Sequence, residues 1–143
     1  MQTSEERWSS AVFRIISETK SIEDICAKIN VLPTRYHVKG ELYSKKNQKS
    51  KIREENVWIY ESLLGEQESL QSHIENLLSF LKENTNSIRE LQAECEFTLM
   101  CAYSSGNGQG GFTLDHEMLN ELSAYPVDLS INLYPPGENF LIL

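Results

Sequence analysis

Basic residues stop at Arg89: from Glu90 onward the chain has eight acidic residues and no Lys or Arg. With 21 acidic residues against 13 basic ones and a net charge of -8, a uniformly basic nucleic-acid surface is excluded. Cysteine is scarce, with only Cys26, Cys95 and Cys101. No Cys-x-x-Cys pair exists, which removes zinc-ribbon and thioredoxin-like motifs. Histidine is limited to His37, His73 and His116, far apart and without a partner at metal-ligand spacing, so no metal and no cofactor is expected. No apolar run reaches membrane-spanning length. The opening "MQTSEERW" has no apolar stretch of the kind a secretory signal needs. These absences lead to an expectation of no membrane association and a cytoplasmic protein with reduced thiols.

What is present is ordinary globular material, 40% apolar and 24% charged over 143 residues. That length predicts a single domain over 1–143 with a core of its own. "AVFRIISE" (11–18) is β-branched and aromatic and reads as a strand. Ser21, with Asp24 three residues later, opens a helix carrying Ile22, Ile25, Cys26 and Ile29 at helical spacing, and Pro33 bars its extension. "RYHVKGELYS" (35–44) reads as a second strand with Gly40 as a bend, and 45–56 as a basic loop. "VWIYESLL" (57–64) reads as a third strand. From Gln67, Leu70, Ile74, Leu77, Leu78 and Leu81 form one apolar stripe. "SIRE" (87–90) has the form of a capping box that restarts a shorter helix through Leu91.

"CEFTLMCAY" (95–103) alternates, with Cys95, Phe97, Leu99, Cys101 and Tyr103 on the inner face. Asp115 reads as the N-cap of a helix with Met118, Leu119 and Leu122 on one side. "VDLSINLY" (127–134) alternates as a half-buried antiparallel strand would, with Val127, Leu129, Ile131 and Leu133 facing in. The expected fold is α+β, an antiparallel or mixed sheet of about five strands with two to three helices packed on one face. The segments around 13–30 and 112–125 share a plan of turn, cap and short helix, an echo of pseudo-symmetric halves. The apolar end, "NFLIL", fits an edge strand, a packed tail or a homodimer contact.

Four of the seven glycines fall between Gly106 and Gly111, in a glycine-rich loop over 104–111. A phosphate-binding loop requires Gly-x-x-x-x-Gly-Lys-Ser/Thr, and "GNGQGGFTLD" has no Lys or Arg. The helix after it opens on Asp115, whose carboxylate repels an anion. The glycines are therefore read as a turn. No Gly-x-Ser-x-Gly elbow is present. Cys95 and Cys101 lie on the inner face of a strand, where thiols are inert. No catalytic residue is assigned.

Two features point outward. Residues 45–53, "KKNQKSKIR", hold five basic residues and no acidic one; both this run and the acidic C-terminal half read either as solvated surface or as a binding face. In "PTRYHVKGE" (33–41), Arg35, Tyr36 and Lys39 bring cationic and aromatic groups together opposite Trp58. They read either as sheet packing or as a recognition patch, and Tyr103 on the later strand is a further candidate.

"INVLPTRYHVKGE", "VWIYES" and "CAYSSGNGQGGFTLDHEMLNELSAYPVDLSINLY", in this order, resemble the bacterial domain-of-unknown-function family numbered 4279 over roughly residues 10 to 136. Pro33, Thr34, Tyr36, Lys39 and Gly40 match one motif, with tyrosine where tryptophan is common. Tyr103, Gly110, Gly111, Phe112 and Tyr134 match the later steps. The resemblance implies a small protein without known catalytic residues, and for some members a likeness to immunity proteins of toxin systems. The expected function is a non-enzymatic protein-binding module of the immunity or inhibitor type, acting on a protein partner such as a basic toxin or effector. The alternative is a small-ligand or nucleotide-binding module with a pocket of Arg35, Tyr36, Lys39 and Trp58.

Overall fold

The computed structural model describes residues 6–135. Nine elements follow one another: β1 (Trp8–Ser17), α1 (Ile22–Ile29), β2 (Arg35–His37), β3 (Asn56–Glu61), α2 (Leu70–Glu83), α3 (Thr85–Leu91), β4 (Glu96–Ser104), α4 (His116–Leu122) and β5 (Val127–Leu133). The strands form one sheet in the order β2-β3-β1-β4-β5. It is a mixed sheet of the α+β class, with β1 antiparallel to both β3 and β4.

The helices form where the sequence supplies caps and stripes. The Ser21 hydroxyl accepts from the Asp24 backbone N–H and the Asp24 carboxylate from that of Ser21, so the capping box is complete. Asn30 ends α1 in the left-handed region, at φ 60°. Ser69 caps α2, and the stripe Leu70, Ile74, Leu77, Leu78 and Leu81 is buried in full. The helix expected from Gln67 and its continuation are two helices, α2 and α3, which brings the total to four. Ser87 is not a cap. α3 starts at Thr85, and the Ser87 hydroxyl donates to the Lys28 carbonyl at 2.8 Å, tying α3 to α1. Asp115 caps α4 through the Met118 N–H at 2.9 Å. α4 is short and turns Leu119 outward, 48% exposed, so only Met118 and Leu122 of the expected trio reach the core.

Pleat parity divides the sheet into two faces. Ala11, Phe13, Ile15, Trp58, Phe97, Leu99, Cys101 and Tyr103 point to the helices and share one core with Ile25, Ile74, Leu77, Ile88 and Met118. Phe13 is its hub, stacked on Phe97 at 6.0 Å and meeting Trp58 edge-on at 6.4 Å. Both edge-on and offset-stacked pairs suit the aromatic quadrupole.

Three strand expectations change. β2 is only three residues long. Past it the chain leaves the sheet as a hairpin arm, held by the Gly40 N–H to Arg53 carbonyl, Arg53 N–H to Glu41 carbonyl and Tyr43 N–H to Lys51 carbonyl bonds. β5 is parallel to β4, not antiparallel. Alternation along a strand reports which face is buried and carries no direction; the α4 crossover sets it. Leu133, expected inside, is 72% exposed at the edge. The echo between the two segments has a topological counterpart. β1-α1-β2 is a split βαβ unit with β3 inserted, since both strands are antiparallel to β3. β4-α4-β5 is an unsplit one. "NFLIL" lies outside the described residues.

Candidate functional site

The sheet face opposite the helices is built from the alternate residues of every strand. One row across it reads Arg35, Ile59, Arg14, Thr98, Asp128. The next reads His37, Val57, Ile16, Glu96, and the one on the other side Glu61, Val12, Met100, Ser130. Val12, Ile59 and Ala102 are buried on this face, which no helix among the described residues covers. Ile59 lies between Arg14 and Arg35, and Val12 between Glu61 and Met100; stems of such long side chains shield apolar surface while their ends stay wet.

Cations gather on the β2 side of this face. The Arg35 Nε donates to the Glu61 carboxylate at 3.0 Å across the two strands. Burial pushes the Arg14 pKa down, Glu55 pulls it up, and the nearby Arg35 charge pushes it down again. Burial likewise lowers the His37 pKa, and Arg53 and Arg35 add to that effect. His37 is therefore held neutral at neutral pH. The hairpin arm continues the positive surface. The Arg53 guanidinium lies over the Tyr43 ring, 4.5 Å from its centroid, a favourable cation–π geometry. Tyr36, His37, Glu41, Tyr43, Lys45 and Arg53 line a hollow of about 390 Å³.

The five residues singled out from the sequence are not brought together. Arg35 faces the open side of the sheet. Tyr36 faces the helix side and is 55% exposed at the edge. It borders an apolar hollow of about 500 Å³ with Ile22, Cys26, Leu32 and Pro33. Trp58 is its cross-strand partner but is 0% exposed, sealed in the core, so it lines no pocket. Lys39 is a structural tie: its Nζ donates to the Glu18 carbonyl at 3.2 Å and its backbone N–H to Asn56 Oδ1 at 2.8 Å. Tyr103 lies on the far side of β1, and its hydroxyl donates to the Gly111 carbonyl at 3.1 Å. Sequence reasoning passed over Arg14. A charged residue between Phe13 and Ile15 on a strand was its signal, since it marks the solvent-facing side of the central strand.

The glycine loop is a turn packed on an aromatic floor. Gly106, Gly108 and Gly110 have φ of 88°, 83° and 124°, a region closed to most side chains. Tyr103, Phe112, Tyr134 and the loop enclose a mostly apolar hollow of about 430 Å³. A fourth hollow, of about 470 Å³, is acidic, with Glu18, Glu55, Glu94 and Glu96 around it.

Among the described residues, no group of three or more His, Cys, Asp or Glu is placed to hold a metal, and no helix is long and apolar enough to cross a membrane. All three cysteines are free thiols. Burial pushes the Cys101 pKa up to about 12 and raises that of Cys95, which suppresses the thiolate. Cys26 is partly exposed on α1. A thiol reagent is therefore expected to titrate one cysteine in the native protein and three in denaturant. Fast native reaction of two or more thiols contradicts the packing of β4.

The architecture is that of a helix-backed mixed sheet whose second face carries no helix among the described residues and is locally cationic. The chain belongs to the family described as domain of unknown function (DUF4279), whose model matches residues 6–136. No curated protein and no solved structure matches the chain significantly.

Proposed function

We propose that the chain is a non-enzymatic protein-binding module of the immunity or inhibitor type, cytoplasmic, whose working surface is the cationic hairpin arm. The observation that carries this is the distribution of ion pairs. Three acids from Glu90 onward are each tied to a lysine: Glu90 to Lys28, Glu94 to Lys20 and Glu121 to Lys82. By contrast Lys45, Lys46, Lys49 and Lys51 on the arm are exposed and enter no ion pair among the described residues. Tyr43 and Ile52, 55% and 59% exposed, stand among them. Tyrosine and arginine are the residues that anchor interfaces, and a cationic rim steers an acidic partner onto them. This charge placement favours a partner surface rich in carboxylates over the basic toxin that composition alone suggests.

The test is a tagged pull-down from native-host lysate with the full chain and with the Lys45→Glu, Lys46→Glu, Lys49→Glu variant. One protein retained at low salt, lost at high salt and lost with the variant is the expected result. Equal capture by both chains sinks the reading. The alternative, a small-ligand or nucleotide-binding module, keeps the hollow beside His37, Tyr43 and Arg53 but loses Trp58 from its wall. Thermal-shift screening against metabolites and nucleotides tests it, and a flat response removes it.

A further inference from the structure

α1 ends at Asn30, whose backbone turns into the left-handed region, and Pro33 keeps the residues that follow out of a helix. Of the two apolar residues between them, Val31 packs on the core and Leu32 is turned outward, 81% exposed. The turn is pinned to β3. The Thr34 N–H donates to the Ile59 carbonyl at 2.8 Å, and the Thr34 hydroxyl accepts from the Glu61 N–H at 3.0 Å. Leu32 is therefore held out as part of a fixed wall. With Ile22, Cys26 and Pro33 it forms the apolar hollow of about 500 Å³ that Tyr36 borders.

Tyr36 also borders the hollow of about 390 Å³, where Tyr43, Lys45 and Arg53 stand. One side chain is thus shared by an apolar hollow and a cationic one. The exposed apolar residues follow the same strip. Among the described residues, Leu32, Tyr36, Tyr43 and Ile52 are four of the eight large hydrophobics left exposed. Leu42, bridged to Ile52 across the arm, lines the second hollow. Single exposed apolar residues are ordinary, but a run of them rimmed by charge marks a binding surface.

Charge decides which way an occupant lies. Lys45 and Arg53 enter no ion pair among the described residues. Glu41 is the one acid of their hollow, and its Oε1 accepts from the Val38 N–H at 3.1 Å. The apolar hollow has one acid, Glu23, and no base on its wall. A carboxylate is repelled at the α1 end and attracted at the arm end. The strip runs on past both hollows to Lys49 and Lys51, which suits an extended segment of a protein with its apolar side chain seated first and its acids trailing along the arm.

We propose that the hollow beside Cys26 seats an apolar side chain of an acidic segment of a partner protein, with that segment's carboxylates lying past Tyr36 against Lys45 and Arg53. This rests on the reading of the arm as the working surface and adds to it the anchor and the direction of the bound segment.

The experiment titrates the ¹⁵N-labelled full chain with three capped peptides, each made in both chain directions: Leu-Gly-Glu-Glu-Glu, Gly-Gly-Glu-Glu-Glu and Leu-Gly-Gln-Gln-Gln. The leucine–glutamate peptide is expected to shift the amides of Cys26, Leu32 and Tyr36 together with those of Tyr43 and Arg53, saturably. It is also expected to slow alkylation of Cys26 by iodoacetamide several-fold, because its side chain covers the thiol. The glycine peptide is expected to bind several-fold more weakly and to shift the arm amides only. Leu32→Ser, at an exposed residue outside the core, is expected to erase the difference between those two peptides. Equal affinity of the leucine and glycine peptides, with the Cys26 rate unchanged, overturns the anchor and leaves the arm reading standing. Equal affinity of the glutamate and glutamine peptides overturns the arm reading, and this inference with it.

Discussion

Trp58→Ala is expected to cost about 3–5 kcal/mol of folding free energy, the usual range for emptying a large aromatic site. A domain of this size has about 5–15 kcal/mol in total, so the variant stands near the edge of unfolding. The reason is its packing. Trp58 is 0% exposed, edge-on to Phe13 at 6.4 Å and stacked with Phe80 at 6.1 Å and Tyr60 at 6.3 Å. No single neighbour can move to fill the space, because each is itself locked in the same cluster. Trp58→Phe is expected to be far milder. The indole N–H is buried without a hydrogen-bond partner, so its removal relieves an unfilled donor while the smaller ring keeps most of the contact. Chemical denaturation measures both, with a lowered midpoint and an unchanged slope for the alanine variant. Equal stability of Trp58→Ala and the parent chain contradicts the buried placement. The pair also separates structure from recognition: a tryptophan used as a ligand contact loses binding in both variants, a core tryptophan only where folding fails.

Stability is expected to fall on mild acidification, through His73. This residue lies on α2 at 1% exposure, with its Nδ1 against the Ser62 hydroxyl at the end of β3. Burial pushes its pKa below the ordinary 6.5; the Gly65 and Ser9 carbonyls and the Glu68 charge pull only part of the way back. A histidine whose folded pKa is depressed is protonated more readily in the unfolded chain. Its contribution is therefore complete above about pH 6.5 and is lost as pH falls through that value toward the folded pKa, with a slope of at most about 1.4 kcal/mol per pH unit. His37 is depressed in the same direction, so the comparison needs both variants. Thermal melts between pH 8 and pH 5 are expected to show a drop that His73→Gln largely removes and His37→Gln leaves mostly in place. A profile unchanged in His73→Gln assigns the acid sensitivity elsewhere.

Much of the fold was legible in the chain because its signals are local. Ser21 with Asp24, and Asp115, act on N–H groups three residues away, so a cap and its helix are written side by side. Phe97, Leu99, Cys101 and Tyr103 alternate because a pleat has a period of two, and the same alternation located the inner face of β4. The candidate site was far less legible. Arg35 and Tyr36 are neighbours in sequence, and that same pleat sends them to opposite faces. Trp58 and Lys39 carry the right chemistry for recognition, but one is sealed behind Phe13 and Phe80 and the other is spent on Glu18 and Asn56. Arg14 looked like one polar residue in an apolar strand, and only the register of β1 with β3 and β2 set it beside Arg35.

By itself the sequence determined the α+β class, the caps of α1 and α4, the buried stripe of α2, the two-faced β4 and the lack of a phosphate-binding motif in the glycine loop. Each of these depends on residues within a few positions of one another. The tertiary structure alone decided that β5 runs parallel to β4, that Glu90, Glu94 and Glu121 are held by Lys28, Lys20 and Lys82, and that Arg14, Arg35 and His37 share the sheet face opposite the helices. Those outcomes depend on which strands and helices meet across tens of residues, and that information lies in the packing of the whole core.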